Sequence, residues 1–231
     1  MKLSRVLLAL FCLLAVSGLV FAGHMSGDES LSKLLEGNKR FISGQLTTKD
    51  CSAEKRQELT KGQHPFAIVL SCSDSRVPAE IVFDQGLGDI FVVRVAGNVV
   101  DPTTLGSIEY GAEHLNAPLL MILGHEQCGA VAATLDAKGK PEGNIGAILK
   151  KIMPAVKTAK AAKKDKDETL QIAIQENVRN TYRDIMKNSK IVPEMVHEGK
   201  LKVIGAEYYL GTGKVEIIDL GTTSQGKHGH H

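Results

Sequence analysis

Three short apolar runs punctuate the chain: "FAIVLSC" at 66–72, "DIFVVRV" at 89–95 and "APLLMILG" at 117–124. Each is nearly continuous in hydrophobicity, and helix-compatible stretches separate them. Such runs suit strands buried on both faces, so the pattern predicts a parallel sheet with crossover helices. From Asp28 to Ile42 the period changes. Leu31, Leu34, Leu35, Asn38, Phe41 and Ile42 recur at steps of three and four, as on an amphipathic helix, with Asp28 or Ser30 as candidate cap. A shorter helix is expected over about 53–61, before Gly62 and Pro65 break the chain. "DPTTLGSIEYGAEHLN" sets Pro102 behind Asp101, the arrangement of a helix start. Residues 127–137 read as a further helix. From about 144 to 190 the pattern is helical and polar, with Lys150, Lys151, Lys157, Lys160, Lys163, Lys164 and Lys166 expected on a solvated face. "LKVIGAEYYL" and "KVEIIDL" around "GTG" predict a closing hairpin. The expected fold class is therefore α/β: a mostly parallel central sheet with flanking helices, an N-terminal helical arm and C-terminal antiparallel strands.

Composition changes this picture at one end. The chain has 231 residues, 43% hydrophobic and 23% charged, enough for one domain with a substantial core. In residues 1–22, Lys2 and Arg5 precede "VLLALFCLLAVSGLVFA", the basic, apolar and small-residue order of a secretory signal peptide. Cleavage is expected after Ala22, leaving 23–231 as a single domain, periplasmic or secreted, without a stable membrane anchor. Without those residues the 28 basic side chains fall to 26, matching 26 acidic ones. A neutral chain offers nucleic acid no electrostatic footprint.

Cys51, Cys72 and Cys128 would remain after cleavage, an odd number and too few for a disulfide framework. An exported chain that keeps thiols apart must protect them, and coordination to zinc does so. The placement of two of them fits. "SCSDSR" at 71–76 follows one predicted strand, and "GHEQCGA" at 124–130 follows another. Continued strand geometry would put Cys72, Asp74 and Arg76 on one face. His125 and Cys128, three apart, would face the same way on a first helical turn. Ligand-type residues thus gather at the carboxyl ends of parallel strands, where open α/β sheets build their sites. Cys72 alone reads as a buried free cysteine and His125 alone as a satisfied core histidine. Together with Cys128 they make a Cys2His set for zinc that leaves a fourth position for water, which Asp74 could occupy or guard. A structural zinc site would need a fourth ligand, and the only spare thiol is Cys51. Thiol redox chemistry is disfavoured by the lack of a Cys-x-x-Cys pair.

"CSDSR", with "HEQC" beginning 49 residues after Arg76, resembles the zinc motif of the β-class carbonic anhydrases. The likeness runs from about Gln63 through Val131 and takes in "GDIFVVR" and "SIEYG". It implies zinc on Cys72, His125 and Cys128, and an Asp74–Arg76 dyad in which the arginine holds the aspartate off the metal. Gln63, Phe91 and Tyr110 match the substrate-pocket residues of the plant-like branch. Val69 stands where the other branch has a tryptophan, and Val95 follows Arg94 where many members have an asparagine. The implied reaction is reversible hydration of carbon dioxide to bicarbonate and a proton by a zinc-bound hydroxide. The alternative is hydrolysis of carbon disulfide or carbonyl sulfide at the same zinc. The family builds its pocket across a subunit interface, so a homodimer or a dimer of dimers is expected.

Overall fold

The computed structural model describes residues 25–139, 141 and 143–221; the segment read as a signal peptide lies outside them. Among these residues five strands form one sheet: β1 (Ala67–Ser71), β2 (Ile90–Arg94), β3 (Leu119–His125), β4 (Lys202–Tyr208) and β5 (Val215–Ile218). Their spatial order is β2-β1-β3-β4-β5. The first four run parallel, and only β5 is antiparallel, to β4. The closing hairpin is present, and it joins the sheet through β4, which runs parallel to β3.

The apolar runs become central strands because both faces of the sheet are covered. Every residue of β1 and β3 is buried. Ile68, Leu70, Leu120 and Ile122 point to one side, where Val178, Ile185 and Val192 meet them. Ala67, Val69, Leu119, Met121 and Leu123 point to the other, against Leu34, Val82 and Phe83. The alternation of strand side chains thus divides the core into two layers.

Helix α1 (Gly27–Ile42) starts earlier than expected, with its cap two residues before Asp28. Ser26, not Asp28 or Ser30, is the cap: its Oγ accepts the Glu29 N–H, and the Glu29 carboxylate accepts the Ser26 N–H at 2.7 Å. Helix α2 (Ala53–Leu59) has no buried residue. Leu34 and Asn38 anchor α1 to the core, and the arm is tied further by Asp84, a buried residue just beyond the short helix α3 (Ala79–Val82). Its carboxylate accepts from Arg40 Nε at 2.5 Å and the Thr47 N–H, and pairs with Lys49 at 2.7 Å.

On the other face, α4 (Pro102–Glu109) begins at the Asp101 cap and runs on as a π-helical turn over Tyr110–His114. Helix α5 occupies Gly129–Asp136. The 144–190 region is two helices, α6 (Ile145–Ala161) and α7 (Lys166–Asn188). Lys163 in a left-handed conformation (φ 53) turns the chain between them, and Asp165 caps α7. All seven lysines named above are exposed, as their polar face predicted. Helix α8 (Ile191–His197) completes the crossover to β4. Among the described residues no helix is long and apolar enough to cross a membrane.

Candidate metal centre

β1 and β3 are adjacent and parallel, so both end at the same edge of the sheet. Cys72 directly follows β1, His125 is the last residue of β3, and Cys128 lies three residues further on. Their ligand atoms all fall within 4.8 Å of one another, and all three residues are buried. The cluster is the one the sequence named.

His125, 0% exposed, has its Nδ1 at 2.9 Å from the Glu126 carbonyl oxygen. A carbonyl only accepts, so Nδ1 carries the hydrogen and Nε2 presents a lone pair. Among the described residues that Nε2 has no hydrogen-bond partner. An orphaned buried acceptor beside two sulfurs is costly unless something binds it. A tetrahedral zinc ion, with bonds of about 2.0–2.3 Å, fits this donor set and this spacing. The two thiols already share charge unevenly: the hydrogen bond from Cys128 draws Cys72 down against the opposition of burial, with help from the Gly97 N–H. Cys128 is pushed up by the same bond and by its own burial.

The loops are built differently from the expected strand and helix. β1 ends at Ser71, so the common face of Cys72, Asp74 and Arg76 does not come from strand alternation. Asp74 instead closes a turn on itself: its Oδ1 accepts the Arg76 N–H at 3.0 Å and its carbonyl accepts the Val77 N–H at 3.0 Å. Arg76 then reaches back over this turn, Nε to Oδ1 at 2.9 Å and Nη2 to Oδ2 at 2.8 Å. Cys128 sits at the N-cap of α5 rather than on a shared helical turn with His125, because Gln127 is left-handed (φ 53) and reverses the chain between them. The helix start gives Cys128 the favourable end of the dipole for a thiolate.

Asp74 Oδ2 is 3.8 Å from His125 Nε2, beside the position a metal would take. Arg76 holds this carboxyl well below the usual carboxylate range, against a smaller cost of burial. Two further residues escaped the sequence reading. Arg94, closing β2, donates Nε to the Cys72 carbonyl at 3.0 Å and Nη2 to the Asp74 carbonyl at 2.6 Å, bracing the loop. The Gly97 N–H donates to Cys72 Sγ at 3.2 Å. An arginine closing an otherwise apolar strand is the one signal that pointed to Arg94.

Gln63, Phe91 and Tyr110 lie elsewhere in the chain. Phe91 pairs in register with Ile68, near the amino end of β1, and its ring centroid is 6.1 Å from that of Tyr110. Gln63 is exposed on the turn leading into β1. The five residues of β1, about 13 Å at ~3.3 Å per residue, separate this end from Cys72. Tyr110 is 47% exposed, whereas Phe91 is half-buried against the core.

A buried Cys2His donor set with a clamped carboxylate beside it, at the carboxyl ends of two parallel strands, is the centre of a mononuclear zinc enzyme. The profile of the carbonic anhydrase family matches residues 67–215. A carbonic anhydrase of Mycolicibacterium smegmatis is 39% identical over 187 residues, 80% of this chain and 89% of that protein. Among solved structures, the β-carbonic anhydrase CafA of Aspergillus fumigatus superposes with a TM-score of 0.68 at 29% identity, covering 83% of this chain and 91% of that one. A tetrameric β-carbonic anhydrase of Sordaria macrospora gives 0.62 at 28%, covering 70% and 84%. The chain belongs to the β-carbonic anhydrase family, whose members are zinc enzymes.

Proposed function

We propose that Cys72, His125 and Cys128 hold the zinc of an enzyme that hydrates carbon dioxide reversibly to bicarbonate and a proton. The observation that carries this is the orphaned Nε2 of His125 set among two buried sulfurs, with Asp74 clamped by Arg76 alongside. Zinc, when bound, supplies Lewis-acid activation of water at near-neutral pH.

The chain's own residues then set orientation. Asp74, ionised because Arg76 holds its carboxyl low, is a poor proton acceptor and a good hydrogen-bond acceptor. It accordingly orients a water rather than deprotonating it. Arg76 occupies both carboxylate oxygens, so Asp74 stands beside the donor cluster without joining it. Two thiolates would cancel the charge of a divalent ion, and the Arg76 guanidinium restores positive potential beside the site.

Carbon dioxide is neutral and apolar, so its pocket needs apolar walls and few donors. We assign those walls to Phe91 and Tyr110 and a donor to Gln63. Because β1 separates these from the metal end of their own protomer, the reading places them in the site of a second copy. Homodimers, alone or paired into tetramers, satisfy that requirement; the Sordaria macrospora relative is tetrameric. Export through residues 1–22 completes the proposal and rests on the residue order of that segment.

Stopped-flow carbon dioxide hydration with zinc counted in the same sample tests the reading. Turnover that disappears on chelation and returns with zinc supports it. A zinc-replete protein that is inert toward carbon dioxide but hydrolyses carbon disulfide or carbonyl sulfide would replace the substrate and keep the site.

A further inference from the structure

The turn that donates to Cys72 is itself held from behind. Ala96–Asn98 form a single 3-10 turn with two successive left-handed residues, Gly97 at φ 72 and Asn98 at φ 44. Only glycine fits at the first: a Cβ there would lie 2.7 Å from Ile152 Cδ1 and 3.2 Å from Ala130 Cβ. Glycine is also the residue least able to hold its own backbone in place. Two side chains of α7 do that instead. Asn177 Nδ2 donates to the Gly97 carbonyl at 2.7 Å, and Thr181 Oγ1 donates to the Asn98 carbonyl at 3.1 Å. These residues are 1% and 3% exposed, and they interrupt an otherwise apolar helix face of Ala173, Ile174, Val178 and Ile185. Neither is a strong helix former, and a buried amide is costly wherever it is not bonded.

We propose that Asn177 is a positioning residue for the metal centre. By fixing the peptide after Gly97, it stops rotation about that glycine and keeps the Gly97 N–H aimed at the Cys72 sulfur. Thr181 fixes the next peptide and supports the same alignment. An N–H···S bond withdraws electron density from a thiolate, so the pair of side chains sets how strongly Cys72 donates to the metal. The inference rests on the assignment of Cys72 as a ligand.

Cobalt(II) in place of zinc reports thiolate donation directly through the energy of its sulfur-to-metal charge-transfer band. In the full chain loaded with cobalt, Asn177→Ala is expected to move that band to longer wavelength, because the sulfur loses its hydrogen bond. Thr181→Val, nearly isosteric, should move it the same way by less. Val178→Ala, one residue along α7 and equally buried but without a polar contact to the turn, should leave it in place. Bands unmoved in both the Asn177 and Thr181 variants, or moved equally by Val178→Ala, overturn the positioning role. A cobalt protein of the unaltered chain with no thiolate band at all overturns the ligand assignment itself.

Discussion

Arg76 grips both carboxylate oxygens of Asp74, at 2.9 and 2.8 Å, while Asp74 Oδ2 stands 3.8 Å from the orphaned nitrogen of His125. Removing the arginine side chain leaves, beside a cation site, an anion restrained only by the backbone N–H of residue 76. Arg76→Ala should therefore let Asp74 take up the open coordination position. Turnover is expected to fall roughly 10–100-fold with zinc still bound, the usual cost of losing a partner that orients a metal site. Arg76→Lys keeps the charge and loses the two-pronged geometry, so it should recover only part of that loss. Activity and zinc content measured together check both; an Arg76→Ala enzyme of near-normal turnover removes the clamp from the mechanism.

Asp84 makes a different use of a carboxylate. Burial raises its pKa, and hydrogen bonds from Lys49, Arg40 and Thr47 outweigh that and hold it below the ordinary carboxylate value. A group depressed in the folded state stabilises above its unfolded pKa of about 3.9, and that stabilisation is lost as pH falls through the folded value. Asp84→Asn should therefore lower Tm by about 5 °C at neutral pH. The deficit should shrink as pH falls toward the acid transition. Melting curves between neutral and acid pH give the answer, and a deficit that stays constant with pH contradicts the ion-pair account.

Metal uptake should release an uneven number of protons. With Cys72 drawn down by its bond from Cys128, and Cys128 pushed up, the metal-free pair is expected to share one proton at neutral pH. Zinc needs both sulfurs deprotonated. Binding at neutral pH should thus liberate about one proton, from Cys128, where two independent thiols would liberate about two. Calorimetry in buffers of different ionisation enthalpy counts them.

The proposed sharing of a pocket between two copies predicts complementation between defective chains. Cys72→Ser abolishes one protomer's metal set, and Gln63→Ala removes the donor it would lend its neighbour. A mixed dimer of the two retains one site in which both parts are intact, so it should recover about half the unaltered activity by the symmetry of such an interface. Mixed chains as inactive as either parent contradict a shared pocket.

Much of this was readable in the residues, for identifiable reasons. Cys72 and His125 follow continuous apolar runs, and such runs become neighbouring buried strands, so their ends had to meet. The dyad was legible because its partners are two residues apart. Its geometry was not: the turn closed by the Asp74 side chain replaces the strand whose alternation predicted a common face. The Arg94 side chain reaches the Cys72 carbonyl across 22 positions and the Gly97 N–H reaches the Cys72 sulfur across 25, and no local period encodes such contacts. The left-handed Gln127 and Lys163 were equally silent, because neither is a glycine or an asparagine. The break before α7 went unread for that reason, although Asp165 is an ordinary cap.

His125 and Cys128 lie 53 and 56 positions beyond Cys72 in the chain, yet on the loops of adjoining central strands. An ion held by all three is therefore a cross-link as well as a reagent. It closes a long excursion of the chain, whose entropic cost otherwise falls on the pairing of β1 with β3 alone. Starved of metal, this protein would lose the stitch that slows the parting of its two innermost strands, and depletion would be felt in its lifetime as much as in its turnover.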